Sequence, residues 1–283
     1  MSIDVRARRS GAPAPAPAPA LTRALCALVA LAAGLVGCVM LVLPRSTGRY
    51  FSWSLGPPSL AALVGAFYVA SAVVFGWAAA REQWRGQRGL CIAVFGLSLP
   101  ALVATARHRD VFDFGRWQAM AWAVLFVASP LLFGTALFRG RGAMPLRRPR
   151  LRPWARRVLA TTSAVYGALA VVLWIAPAAV SRHGPLAAGP MGIRFAGAWA
   201  AFLALLGAYA AFRATWEDVR VPLVALVAWP VAALAAAISR LDDLEAGAPR
   251  AAYLGTLILL ASVALCVLVT GRDASTWRRT ARP

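Results

Sequence analysis

Trp53-Ser54-Leu55-Gly56-Pro57-Pro58, followed by Gly65-Ala66-Phe67-Tyr68 and closed by Arg81-Glu82-Gln83-Trp84 and Arg88, decides how the chain is read. A turn-rich stretch enters a long apolar run, which ends on guanidinium and indole groups. The order returns 132 residues later as Leu186-Ala187-Ala188-Gly189-Pro190, then Gly197-Ala198-Trp199, then Arg213, Trp216 and Arg220. Pro58 falls on Pro190, Gly65 on Gly197, Arg81 on Arg213, Trp84 on Trp216, Arg88 on Arg220 and Asp110 on Asp242. Shared Ala means little in so Ala-rich a chain. Matched Pro, Gly, Trp, Arg and Asp in one register mean a duplication.

Sixty per cent of the 283 residues are hydrophobic, 14% are charged and the mean hydropathy is +0.67. Soluble domains carry about a quarter charged residues. The apolar residues here lie in runs at about 21–43, 60–80, 89–106, 117–138, 158–180, 194–212, 221–239 and 251–270. Such runs match the length needed to cross a hydrocarbon core of about 30 Å. The expected fold is all-α and polytopic: eight transmembrane helices in two tandem parallel four-helix repeats. Four is even, so the repeats share one orientation about a pseudo-twofold axis along the membrane normal. The divisions follow as a basic Ala-Pro tail over 1–20, a first repeat over 21–139, an Arg-rich linker over 140–157, a second repeat over 158–271 and a basic tail over 272–283. Alternating Ala-Pro favours extended polyproline II and cannot build a core, so the first tail reads as a solvated spacer.

The net charge of +20 comes entirely from Arg, since the chain has no Lys. Basic clusters in a multi-pass protein set topology, so no nucleic-acid partner is expected, and a chain without Lys has no Walker-type phosphate loop. With the N-terminus inside, the outer loops hold nine Arg (Arg45, Arg49, Arg107, Arg109, Arg116, Arg182, Arg194, Arg240 and Arg250) and the inner segments hold the other 21. That bias places both termini in the cytoplasm, at a bacterial inner membrane.

Cys26, Cys38, Cys91 and Cys266 all fall in apolar runs without metal-ligand spacing and read as packing residues. Leu35-Val36-Gly37-Cys38 fits a lipobox, but the run continues past Cys38 and a plain spanning helix is expected. No Asp, Glu or Arg occupies the middle of a predicted span, which argues against a pump or ion-coupled transporter. His108 and His183, with Asp110, Asp113, Asp242, Asp243 and Glu245, lie at outer helix ends. They carry the weakest functional reading, an outer acid–base or cation site. No catalytic, cofactor-binding or metal residue is assigned.

The candidate contacts are with anionic lipid headgroups at the inner face. In Arg81-x-x-Trp84-x-x-x-Arg88 the spacing puts all three on one helical face, and Arg213, Trp216 and Arg220 repeat it. The linker adds Arg147, Arg148, Arg150 and Arg152, each contributing about 1 kcal/mol near a charged surface. Gly65 and Gly197 offer bare backbone for close helix contact. The Pro57-Pro58 segment reads as a rigid turn capping the bundle, and Pro100, Pro130, Pro222 and Pro230 as points where helices bend or end.

The aromatic-Pro-Pro, Gly-Ala-x-Tyr, Arg-x-x-Trp block and the Arg-His-Arg-Asp-x-Phe end of the third run resemble bacterial multi-pass membrane proteins of uncharacterised function. The resemblance is strongest over 50–113 and brings no activity with it. The expectation is a non-enzymatic scaffold or accessory subunit, with a protein partner or a second copy of the chain beside the lipids. The alternative is a flippase-like carrier of an uncharged or lipidic substrate working through the interface between repeats. A lipid-modifying enzyme at the outer face comes third. A cavity between the halves separates the first two.

Overall fold

In a computed structural model of the chain, the described residues are 19–80, 84–139, 151–184, 188–213 and 215–271. The eight long helices are α1 Ala20–Val42, α2 Pro58–Ala80, α3 Trp84–Arg107, α4 Trp117–Arg139, α5 Pro153–Ile175, α6 Pro190–Arg213, α7 Trp216–Ser239 and α8 Ala248–Thr270. The described residues contain no strand. Each helix is long and apolar enough to cross a membrane, so the architecture is compatible with an integral, multi-pass membrane protein. A helix of 23 residues rises about 35 Å.

Local chemistry fixes where the helices begin. Pro58, Pro153 and Pro190 each open a helix, and Pro249 is the second residue of α8. Proline suits the first turn, whose amide hydrogens have no intrahelical acceptor. Gly247, at φ 95°, supplies the left-handed turn into α8. Pro100, Pro130, Pro222 and Pro230 end no helix; they lie inside α3, α4 and α7.

The fifth apolar run departs from its predicted limits. It starts at Pro153, so Pro153–Arg157 belong to α5 and not to a linker, and it stops at Ile175. A second helix, Pro177–His183, follows. Pro177 cannot donate, and Ala176 leaves the helical region at φ −125°, ψ 45°. Hydropathy continues through this break because it does not register a missing donor.

Four helices form the centre and four flank them. The buried share is 67, 56, 61 and 56% for α2, α3, α6 and α7, but 28, 22, 17 and 17% for α1, α4, α5 and α8. The halves of the chain meet through the central set, with α3 on α6 and α7, and α2 on α7. Glycine allows the closest approaches. A Cβ on Gly65 would lie 2.8 Å from the Met40 Cβ of α1, and one on Gly197 would lie 2.8 Å from the Trp174 ring of α5.

The segments 43–57, 108–116, 176–184 and 240–247 gather at one end, the cap end. There the segment before Pro58 folds into the bundle. Phe51, Ser52, Trp53 and Leu55 are buried. Ser52 Oγ donates to Gln118 O at 3.1 Å, and the Arg116 guanidinium donates to the carbonyls of Gly48 and Arg49 at 2.5 and 2.6 Å. The expected cap is present. The opposite end carries Arg139, Arg152, Arg213 and Gly271, where Arg152 N donates to Gly271 O at 2.9 Å and joins α5 to the end of α8.

Candidate functional site

A cavity of about 450 Å³ lies among α5, α6, α7 and α8 and is closed on one side by α2. It begins at the cap end, where His183, Gly184 and Ala188 form its mouth, and descends to Tyr166, Leu203, Trp229 and Leu260 near the middle of their helices. Leu60, Leu63 and Phe67 are the first half's share of the wall. The volume lies in the ordinary range for small-molecule sites, about 300 to 1,000 Å³.

The chemistry of the lining is narrow. Nearly every wall residue is aliphatic or aromatic, and His183 at the mouth is the only Arg, His, Asp or Glu among them. Tyr166 and Tyr253 bring hydroxyls that make no hydrogen bond among the described residues. Thr256 donates to Ala252 O at 2.7 Å within its own helix. The Trp199 and Trp229 indole N–H groups are buried and have no acceptor among the described residues. Buried indole donors ordinarily find one. Such a site accepts an apolar body with few oxygen atoms, and an ion would lose its hydration there without compensation.

The cavity also reaches the side of the bundle. Leu169 of α5 and Ala252 and Thr256 of α8 line it and are themselves exposed. α8 packs along α7 and touches α5 only slightly, including at the Gly271 end. The opening therefore faces the flank, between two of the least buried helices.

The first half is closed at the corresponding depth. Trp53 lies 5.2 Å from Phe112, 4.8 Å from Trp122 and 5.6 Å from Phe195, ring centre to centre. Trp122 lies 4.2 Å from Phe126 and donates from Nε1 to Thr105 Oγ1 at 3.0 Å. The void left near Tyr68, Ser71 and Ser98 is about 70 Å³. Trp199 borders both spaces and is the wall between them.

At the cap end the Arg194 guanidinium donates to His108 Nε2, joining the start of α6 to the end of α3. Arg194 Nε also donates to Trp174 O at 3.4 Å. Partial burial, then the positive charge of Arg194, pushes the His108 imidazole below its ordinary range; Asp110 opposes this and Arg107 adds to it. The neutral ring is the form that accepts from Arg194.

The residues singled out from sequence lie elsewhere. Arg81, Arg147, Arg148 and Arg150 fall outside the described residues. In the second copy Arg213, Trp216 and Arg220 do not share one helical face. α6 ends at Arg213, and Trp216 opens α7 after Thr215, which is extended and bonded through its hydroxyl to Asp218. In the first copy Trp84 opens α3 with Arg88 one turn on, and Arg81 lies outside the described residues. Arg213 lies 5.8 Å from the Tyr209 ring, and Arg220 lies 5.5 Å from the Trp77 ring of α2. Arg152 is exposed at the start of α5. None of those among the described residues lines the cavity. Asp110 and Asp242 are exposed, and no group of three His, Cys, Asp or Glu able to hold a metal occurs among the described residues. Cys26 and Cys91 are buried, and Cys38 and Cys266 are exposed on their helices.

Compared with known proteins, the chain matches no family model, no curated protein and no solved structure.

Proposed function

We propose that this is a membrane protein that takes a lipidic, uncharged molecule from the bilayer into the α2 and α5–α8 cavity, as a binder or a flippase-like carrier. The cavity carries this reading: about 450 Å³, apolar, reaching mid-helix depth and open between α5 and α8. A scaffold or accessory subunit, for a protein partner or a second copy, is the reading that the closed first half favours. No part of the site calls for catalysis, and we read the protein as non-enzymatic.

We further read the chain as two tandem four-helix repeats in one orientation. α2 and α6 begin at Pro58 and Pro190, α3 and α7 at Trp84 and Trp216, all at the offset of 132. Arg23 Nε donates to Ala79 O at 3.2 Å, and Arg156 Nε donates to Ala211 O at 3.1 Å, with the acceptors at that same offset. The arginine bias supports placing the linker end and both termini in the cytoplasm and the cap end outside a bacterial inner membrane.

The test is to purify the protein from membranes in mild detergent, extract it and identify bound lipid by mass spectrometry. The comparison is His183→Phe/Ala200→Tyr, which adds rings at two cavity-lining positions, the second being the one that Tyr68 holds in the first half. A stoichiometric lipid in the wild-type protein that falls at least tenfold in the variant supports the reading. An unchanged lipid complement, or none in either protein, overturns it.

A further inference from the structure

A second concavity lies at the other end of the second half. Between the first turns of α5 and the last turns of α6 is a groove of about 550 Å³ lined by Pro153, Arg156, Arg157, Ala160, Ser163, Ala208, Ala211 and Phe212. Its two chemistries are separated by depth. Arg156 and Arg157 stand at the linker end, where a helix leaves the apolar layer. Phe212 stands beside them at the end of α6, and Ala160, Ser163 and Ala208 continue the groove along the helices. Among the described residues no carboxylate lines it.

The two arginines are not equivalent. Arg156 Nε is held by Ala211 O at 3.1 Å, which fixes the plane of its guanidinium over the end of α6. Arg23 makes the matching bond to Ala79 O in the first half, so that bond is part of the bundle's framework. Arg157 has no such counterpart: the residue after Arg23 is Ala24. The second half thus adds one exposed cation beside a fixed one, above a strip of small apolar residues.

We infer that this groove binds one anionic phospholipid, with its phosphate between Arg156 and Arg157 beside Phe212 and an acyl chain along Ala160, Ala208 and Ser163. Guanidinium meets phosphate through paired N–H donors. Small side chains at Ala160 and Ala208 leave room for a chain against the helix backbones. On the orientation proposed above, the site faces the cytoplasmic leaflet, whose anionic lipids it would select. The site shares no lining residue with the interior cavity.

The full chain is purified, placed in nanodiscs of phosphatidylcholine with a minor fraction of phosphatidylglycerol, and its retained lipids counted by native mass spectrometry. The variants are Arg157→Gln, Arg156→Gln/Arg157→Gln and, as a charge control at the same end, Arg139→Gln. Loss of the two guanidinium groups should lower phosphatidylglycerol retention roughly thirtyfold, which corresponds to about 2 kcal/mol. Arg157→Gln alone should account for much of that loss, and its intact framework bond guards against misfolding. Arg139→Gln should leave retention unchanged. Equal loss in Arg139→Gln would show a diffuse charge effect, and unchanged retention in the double variant would remove the site. Excess inorganic phosphate should fail to displace the lipid; displacement would mean that an ion, not a lipid, is the ligand. His183→Phe/Ala200→Tyr should leave phosphatidylglycerol bound, so failure of the cavity reading and failure of this one give different results.

Discussion

The two halves of this chain place the same kinds of helix in the same order, and one is filled where the other is hollow. In the first half Phe51 packs against Tyr68 with ring centres 6.4 Å apart, and Trp53 and Trp122 complete a continuous aromatic mass. The positions 132 residues on hold His183, Ala200, Pro185 and Leu254. α1 and α5 correspond at an offset of 133, Ala20–Val42 on Pro153–Ile175, and the small-residue contact is kept in both: Gly34 faces Ala72 as Gly167 faces Ala204. On the reading of the halves as repeats, the difference teaches that a helical framework can be kept by its glycines and helix-end bonds while its interior differs in a handful of aromatics.

The comparison breaks most readily at Trp122. Trp122→Ala removes the ring that touches Phe51, Trp53, Phe126 and Phe195 and the N–H that donates to Thr105 Oγ1, which keeps only its own bond to Ala101 O. A loss of about 3–5 kcal/mol is expected. It would be read as a collapse of thermal stability in detergent, and a stable variant would show that the first half is not held by its aromatic core.

Glycine substitution tests the framework common to both halves. Gly65→Val and Gly197→Val each force a side chain into atoms 2.8 Å from the new Cβ. Each should cost about 1–3 kcal/mol in the same melt. Gly76→Ala, whose Cβ would sit 3.6 Å from Ala30 Cβ, should pass almost unnoticed. Equal melting of all three would mean that the close helix approaches are not tight.

Filling the hollow half should change stability least among the core variants. His183→Phe/Ala200→Tyr adds volume to existing space, and a shift within about 1.5 kcal/mol of wild type is expected even as bound lipid is lost. A large destabilisation would show that the space is already occupied by protein atoms.

The smallest effect concerns His108, whose position in the second half is Arg240. The imidazole is held below its ordinary range by burial and by Arg194, so the unfolded chain binds the proton more readily than the folded one. Stability from this contact is present above the ordinary histidine value of 6.5 and fades as pH falls through it toward the depressed value. A melting series from pH 7.5 to 5 should show a modest acid loss that His108→Gln abolishes. Persistence of the loss in that variant would assign it elsewhere.

Much of this arrangement could be read from residues alone, because hydropathy and helix length are local properties. The eight spans, the cap over Pro58 and the close contacts at Gly65 and Gly197 follow from composition and backbone freedom. The break at Pro177 and the early start of α5 escaped because apolarity runs through one and Arg crowds the other. The Arg-x-x-Trp cluster suggested a single face, yet Thr215 opens a new helix inside its second copy. The cavity was less legible still. A void is set by which side chains fail to meet across five helices, and only the exchange of Tyr68 for Ala200 hints at it in the sequence.

The flank opening between α5 and α8 has a consequence for measurement. A molecule that enters there arrives from the bilayer, so its concentration is a mole fraction among lipids and not a molarity in water. Titrations that vary aqueous ligand at fixed lipid would report partitioning as much as binding. Holding ligand fixed and diluting it with more lipid would weaken occupancy, although the bulk concentration never changes.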